Sequence, residues 1–113
     1  MQNCIFCKII RGDIPSHKVF EDDKICAFLD INPQAPVQIV EIPKEHIESM
    51  DSIDTSNSVF VSYIFEKIPQ IAKSAELSGG YRVISNCGPD ACQTVKHLHF
   101  HILGGKQLSE RLD

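Results

Sequence analysis

In Val95-Lys96-His97-Leu98-His99-Phe100-His101-Ile102-Leu103 three histidines fall at strict alternation, with an apolar residue in each gap. A period of two is that of a β-strand, so the reading is a strand with His97, His99 and His101 on one face. Leu98, Phe100 and Ile102 then face the other way, into a core. Successive imidazoles on such a strand stand about 6.5–7 Å apart. Gly104-Gly105 ends the run. Histidine has the side-chain pKa nearest neutrality, so an aligned row points to proton handling, nucleophilic attack or metal ligation.

Outward from this row, the chain resolves into short elements. The polar stretch Asn86-Cys87-Gly88-Pro89-Asp90, with Gln93-Thr94, leads directly into the histidine strand. Tyr81 to Ser85 reads as a strand after Gly79-Gly80. From Thr55 to Leu77, Phe60, Ile64, Ile68, Ile71 and Ala75 recur at helical spacing. Pro69 lies inside that segment, and its ring crowds the carbonyl of Phe65, so a kink or break is expected there. Val37 to Ile42 alternates and is β-branched, a strand ended by Pro43. Lys18 to Glu21 and Ile25 to Leu29 form two more strands around Asp22-Asp23. Cys4 to Arg11 reads as a short amino-terminal helix closed by Gly12. Short antiparallel strands with segregated helices define an α+β fold. With no internal repeat, low-complexity tract or linker, residues 1–113 are expected to form a single domain.

The 113 residues allow one modest core. A net charge of −4 argues against broad nucleic-acid binding through phosphate neutralisation. No apolar run is long enough to cross a bilayer, and Met1-Gln2-Asn3-Cys4 has neither the basic nor the apolar region of a secretory signal. Five cysteines (Cys4, Cys7, Cys26, Cys87 and Cys92) are an odd count, which favours reduced thiols and a cytoplasmic setting.

Three chemistries are open to the histidine row. It can be a polar edge-strand face, a metal site of the His-x-His kind, or a covalent centre in which one imidazole attacks and its neighbours orient it. Cys4-Ile5-Phe6-Cys7 offers two thiolates at a spacing that grips one Zn²⁺, but a four-ligand site needs two further donors. No second Cys-x-x-Cys exists, so free histidines are the natural complement, and the chain offers His17, His46, His97, His99 and His101. A redox pair or two small buried residues is the competing reading. His46, in Ile42-Pro43-Lys44-Glu45-His46-Ile47, and His17 read as surface histidines when taken alone.

Together these stretches resemble the histidine-triad (HIT) superfamily, and most closely its Hint branch with a leading Cys-x-x-Cys. The resemblance rests on His97 to Gly105 and on Ile5-Phe6-Cys7-Lys8-Ile9-Ile10, Ile14-Pro15 and Phe20-Glu21-Asp22-Asp23. It extends through Ala27-Phe28-Leu29-Asp30-Ile31, Pro33-Gln34-Ala35-Pro36, Ile42 to Ile47, Gly80-Tyr81-Arg82 and Gln93-Thr94-Val95. It implies a five-stranded antiparallel sheet with one short and one longer helix, joined to a second sheet across a homodimer. It further implies hydrolysis of purine nucleoside phosphoramidates and related nucleotide conjugates. His99 would be the nucleophile and His101 the phosphate-binding imidazole. Gln93 and Thr94 would contact the phosphate, Asp30 the ribose hydroxyls, and Asn86 would complete the polar wall. Ile5, Phe6, Ile14, Phe28, Leu29 and Ile31 would surround the base. A structural zinc would be held by Cys4, Cys7, His46 and His97, with no catalytic metal, no nucleic acid and no membrane involved.

Two positions depart from the family pattern. Gln38 stands where the third strand usually carries a fourth histidine, and Cys92 stands where a glycine usually precedes Gln93. Gln can donate and accept hydrogen bonds but cannot titrate. These departures keep a second expectation open, a zinc-stabilised nucleotide-binding or interaction protein with little turnover. A zinc hydrolase with metal on the triad itself is the third.

Overall fold

A computed structural model describes residues 3–112 of the chain. Met1 and Gln2, part of the leader reading, and Asp113 at the carboxy end lie outside the described residues. Five strands form one antiparallel sheet in the order β1-β2-β3-β5-β4, with β1 at Lys18–Glu21, β2 at Ile25–Leu29 and β3 at Val37–Pro43. The remaining two are β4 at Tyr81–Ile84 and β5 at Phe100–Gly104. β3 is central: Ala27 of β2 and Phe100 of β5 flank Glu41, while His101 lies beside Val40.

The sheet has a helix on each face because its strands alternate two apolar sets. Ile39, Phe100 and Ile102 join Ile64, Ile68, Ile71 and Ala72 of α2 (Ser58–Ser74) in the larger core. Val40, Ile42, Cys26 and Phe28 face the other way, against Phe6 and Ile9 of α1 (Ile5–Arg11). Cys4 caps α1, its Sγ accepting from the Cys7 N–H. Gly12 ends it at φ 83°, left-handed backbone that a side chain disfavours.

The expected α+β architecture is present, with three local differences. α2 starts at Ser58 rather than Thr55, because Asp54 Oδ1 takes the Ser56 N–H and Asn57 Oδ1 takes that of Asp54, closing a turn first. It ends at Ser74, where Glu76 turns left-handed before the glycines are reached. It also runs unbroken through Pro69. Pro69 and Phe65 are both exposed, so the carbonyl that loses its donor lies where solvent can supply one. The third difference concerns the histidine row. The paired strand begins only at Phe100, and His97 lies in a bend. The alternation of faces nevertheless extends back from the strand, since Leu98 joins the α2 core. Among the described residues no helix is long and apolar enough to cross a membrane, and all five cysteines are free thiols.

Candidate active site and metal centre

His97, His99 and His101 emerge on the α1 side of the sheet, each with different neighbours. His97 is fully buried, and its Nε2 donates to the carbonyl of Pro43 at 2.8 Å. A carbonyl can only accept, so the proton is on Nε2 and the Nδ1 lone pair is free. His99 has the opposite arrangement. Its Nδ1 donates to the His97 carbonyl at 2.7 Å, which leaves Nε2 bare. Phe6 fixes both rings by edge-on contact, its centroid 5.0 Å from that of His99 and 5.9 Å from that of His97. Burial pushes the pKa of His97 down to about 4 and lowers that of His99, so both rings are neutral near pH 7.

His101 is lowered as well, by burial first and then by His99, whose ring stands 5.0 Å away. Its Nδ1 faces Gln38 Nε2 at 3.2 Å and lies 3.9 Å from Asp30 Oδ2. Gln38 Nε2 also donates to Asp30 Oδ2 at 2.9 Å, and Gln38 Oε1 accepts the Gln34 N–H at 2.6 Å. Asp30 Oδ1 takes the Asn32 N–H.

His99 and His101 open onto a cleft of about 300 Å³. Its walls include Ile5, Phe6, Ile14, Phe28, Leu29, Asp30, Ile31, Asn86, Thr94, His99 and His101, which brings together every cleft residue expected from sequence except Gln93. The Gln93 side chain is engaged elsewhere. Its Nε2 donates to the carbonyls of Glu48 and Val95, and its Oε1 accepts the Gly88 N–H. Gln93 thus ties the loop in place rather than lining the cleft. Cys92, which stands at the loop position noted from sequence, also lines it, as do Ile9, Pro15, Ser16, Val40 and Val95, which were not anticipated. Ile9 lies one helical turn beyond Ile5 and Val40 alternates with Gln38, so periodicity carried a signal for those two. Cys92 keeps a left-handed backbone at φ 60°, the conformation a glycine would adopt, and carries its thiol in the cleft wall.

Behind the row, Cys4, Cys7, His46 and His97 bring one ligand atom each to within 4.8 Å of one another. Cys4 Sγ and His97 Nδ1 are 3.3 Å apart, as are Cys7 Sγ and His46 Nδ1, and Cys7 Sγ and His97 Nδ1 are 3.6 Å apart. Zn–S and Zn–N bonds of normal length in a tetrahedron give S···N edges of about 3.6 Å. The donor set and its spacing therefore fit a tetrahedral zinc, and the bare His97 Nδ1, oriented by Pro43 from behind, suits a ligand. Burial and the neighbouring Cys4 push the Cys7 thiol up to about 11, a penalty that a bound cation reverses. His46, which reads as a surface residue in isolation, belongs to this cluster.

Sheet, cleft and row define a small α+β protein with an imidazole-lined cleft backed by a Cys₂His₂ cluster. The chain belongs to the histidine-triad (HIT) family. A family model described as scavenger mRNA decapping enzyme C-term binding matches residues 3–112. A 14 kDa zinc-binding protein of Zea mays is 43% identical over 107 residues, covering 93% of this chain and 84% of that protein. Adenylylsulfatase HINT1 of Arabidopsis thaliana is 40% identical over 107 residues, covering 93% and 73%. The solved structure of a HIT family hydrolase from Clostridium thermocellum superimposes with a TM-score of 0.96 at 42% identity, covering 100% of this chain and 99% of that one. The chain is thus similar to HIT family hydrolases over nearly its full length.

Proposed function

We propose that this protein hydrolyses purine nucleoside phosphoramidates and related nucleotide conjugates through a nucleotidyl-histidine intermediate on His99. The observation that carries the reading is the His99 Nδ1–H bond to the His97 carbonyl, which leaves a bare, neutral Nε2 on the cleft. Nε2 attacks the α-phosphorus, the P–N bond breaks, and the amine departs after taking a proton from solvent. Water then attacks the phosphorus, the new P–O bond forms as P–Nε2 breaks, a proton goes to solvent, and the neutral imidazole and the nucleoside monophosphate are released. The apolar wall of Ile5, Phe6, Ile14, Phe28, Leu29 and Ile31 suits a base. Asp30 suits ribose hydroxyls, and His101, Asn86 and Thr94 suit the phosphate. The Arabidopsis relative, named as an adenylylsulfatase, supports an adenylyl group as the part transferred.

Cys4, Cys7, His46 and His97 would hold a structural zinc, a role the name of the maize relative supports. When bound, that ion supplies cohesion between α1 and the segments around His46 and His97. The chain works in this reading as one domain and as a cytoplasmic homodimer. Its second copy would extend the sheet from β4, the edge strand on which Tyr81 is exposed.

Gln38, in place of a titratable fourth histidine, favours one competing reading, a zinc-stabilised nucleotide-binding protein with little turnover. Turnover of adenosine 5′-phosphoramidate by wild type and His99→Ala separates the two. Hydrolysis is expected to fall about 10³-fold or more in the variant while zinc content stays constant. Nucleotide binding without turnover in wild type establishes the competing reading, and undiminished turnover in His99→Ala overturns the role of His99.

A further inference from the structure

We propose that Gln38 is a positioning residue that fixes His101 as the neutral Nε2–H tautomer, so that the cleft meets a donor at His101 beside the bare nitrogen of His99. The assignment follows from groups whose hydrogen-bonding roles cannot change. The Gln34 backbone N–H can only donate, so the Gln38 atom 2.6 Å from it is the amide oxygen. The other amide atom is therefore the NH₂ group, with two protons to place. One goes to Asp30 Oδ2 at 2.9 Å, a carboxylate oxygen that accepts. The other is aimed at His101 Nδ1 at 3.2 Å, which must then present its lone pair. A flipped amide would set two donors together at Gln34 and two acceptors together at Asp30. A proton on Nδ1 would meet the amide N–H head-on, and Asp30 at 3.9 Å is too far to take it.

The ring's remaining proton is thus on Nε2, which has no protein partner among the described residues, on a side chain that lines the cleft. The catalytic consequence rests on the proposed hydrolase reading. An N–H pre-aimed at a phosphoryl oxygen stabilises charge that grows there during attack by His99. Gln38 also shares Asp30 with the ribose side of the cleft, so one amide orients both subsites.

The tautomer is read directly from the ¹⁵N shifts of the His101 ring in the zinc-loaded, substrate-free protein. Nδ1 is expected at the unprotonated end of the range and Nε2 at the protonated end. In Gln38→Met, which has similar volume and no donor, the two shifts are expected to move toward each other as tautomers mix. In Gln38→Glu, which places an acceptor against Nδ1, that nitrogen is expected to become protonated. A protonated Nδ1 in wild type, or unchanged shifts in a folded Gln38→Met or Gln38→Glu, overturns the proposal. The wild-type spectrum needs no variant to fold and no turnover, so its result is independent of whether phosphoramidates are hydrolysed. Where they are, Gln38→Met is expected to lower kcat about tenfold, about 1.4 kcal/mol of transition-state stabilisation, and to raise KM by a smaller factor through the loosened Asp30. An unchanged kcat beside altered shifts removes the catalytic consequence and leaves the tautomer assignment standing.

Discussion

Glu41 lies on the α2 face of the sheet between Ala27 and Phe100, fully buried, and neither carboxylate oxygen has a hydrogen-bond partner among the described residues. Desolvation, with a smaller push from Asp22, raises its pKa from 4.5 to about 8. The folded chain thus holds a proton that the unfolded chain releases. The stability linked to that proton is complete below about pH 4.5 and is lost as pH rises through about 8. Glu41→Val removes both the orphaned polar group and the linkage. The variant is expected to be more stable by about 1–3 kcal/mol at low pH, with a gap that widens from about pH 4.5 and levels off above about 8. Melting temperatures of both proteins from pH 5 to 9 check this, and parallel curves would contradict it. Nothing in the function proposed for the cleft uses Glu41.

Among the elements, the loop before β5 depends most on one side chain. Gln93 spends its whole amide on Gly88, Glu48 and Val95, so the loop carrying Asn86 and Thr94 is held from a residue beside the cleft. Gln93→Ala is expected to cost about 1–3 kcal/mol in denaturant unfolding. It should speed amide exchange at Gly88 and raise KM more than it lowers kcat; an unchanged Gly88 exchange rate would refute the strut. β1 and β2 were legible to the residue because Asp22-Asp23 separates two runs of strand-forming residues, and Asp22 Oδ1 indeed takes the Lys24 and Ile25 N–H groups. The helix was legible from its apolar stripe. Its ends were not, since they depend on the Asp54–Asn57 turn and on left-handed Glu76. The role of Gln93 was not legible either, because its partner Glu48 is 45 residues away in sequence. Gln38 stood out as an odd residue, but its contact with His101 exists only once β3 pairs with β5 across 63 positions.

For the whole molecule, the Cys₂His₂ cluster joins three distant stretches of chain: the start of α1, the segment after β3, and the bend before β5. α1 also supplies Ile5, Phe6 and Ile9 to the cleft. Removing a metal held by this cluster is therefore expected to act on both stability and binding. A site whose free metal stands 1,000-fold above its Kd contributes about 4 kcal/mol. Chelation is expected to lower the melting temperature, to open α1 to hydrogen exchange before β2, β3 and β5, and to weaken nucleotide binding. Unchanged α1 protection after verified metal loss would show that the cluster does not hold α1. His97 Nε2 and His99 Nδ1 both spend their protons on main-chain carbonyls, and His97 Nδ1 turns toward sulfur. No imidazole in the row can pass a proton to the next without breaking a bond to the backbone or to Gln38. The alternation of histidines is insulated at each residue, so in the proposed reaction the proton gained by the leaving group would come from solvent or from His101 Nε2–H rather than along the row.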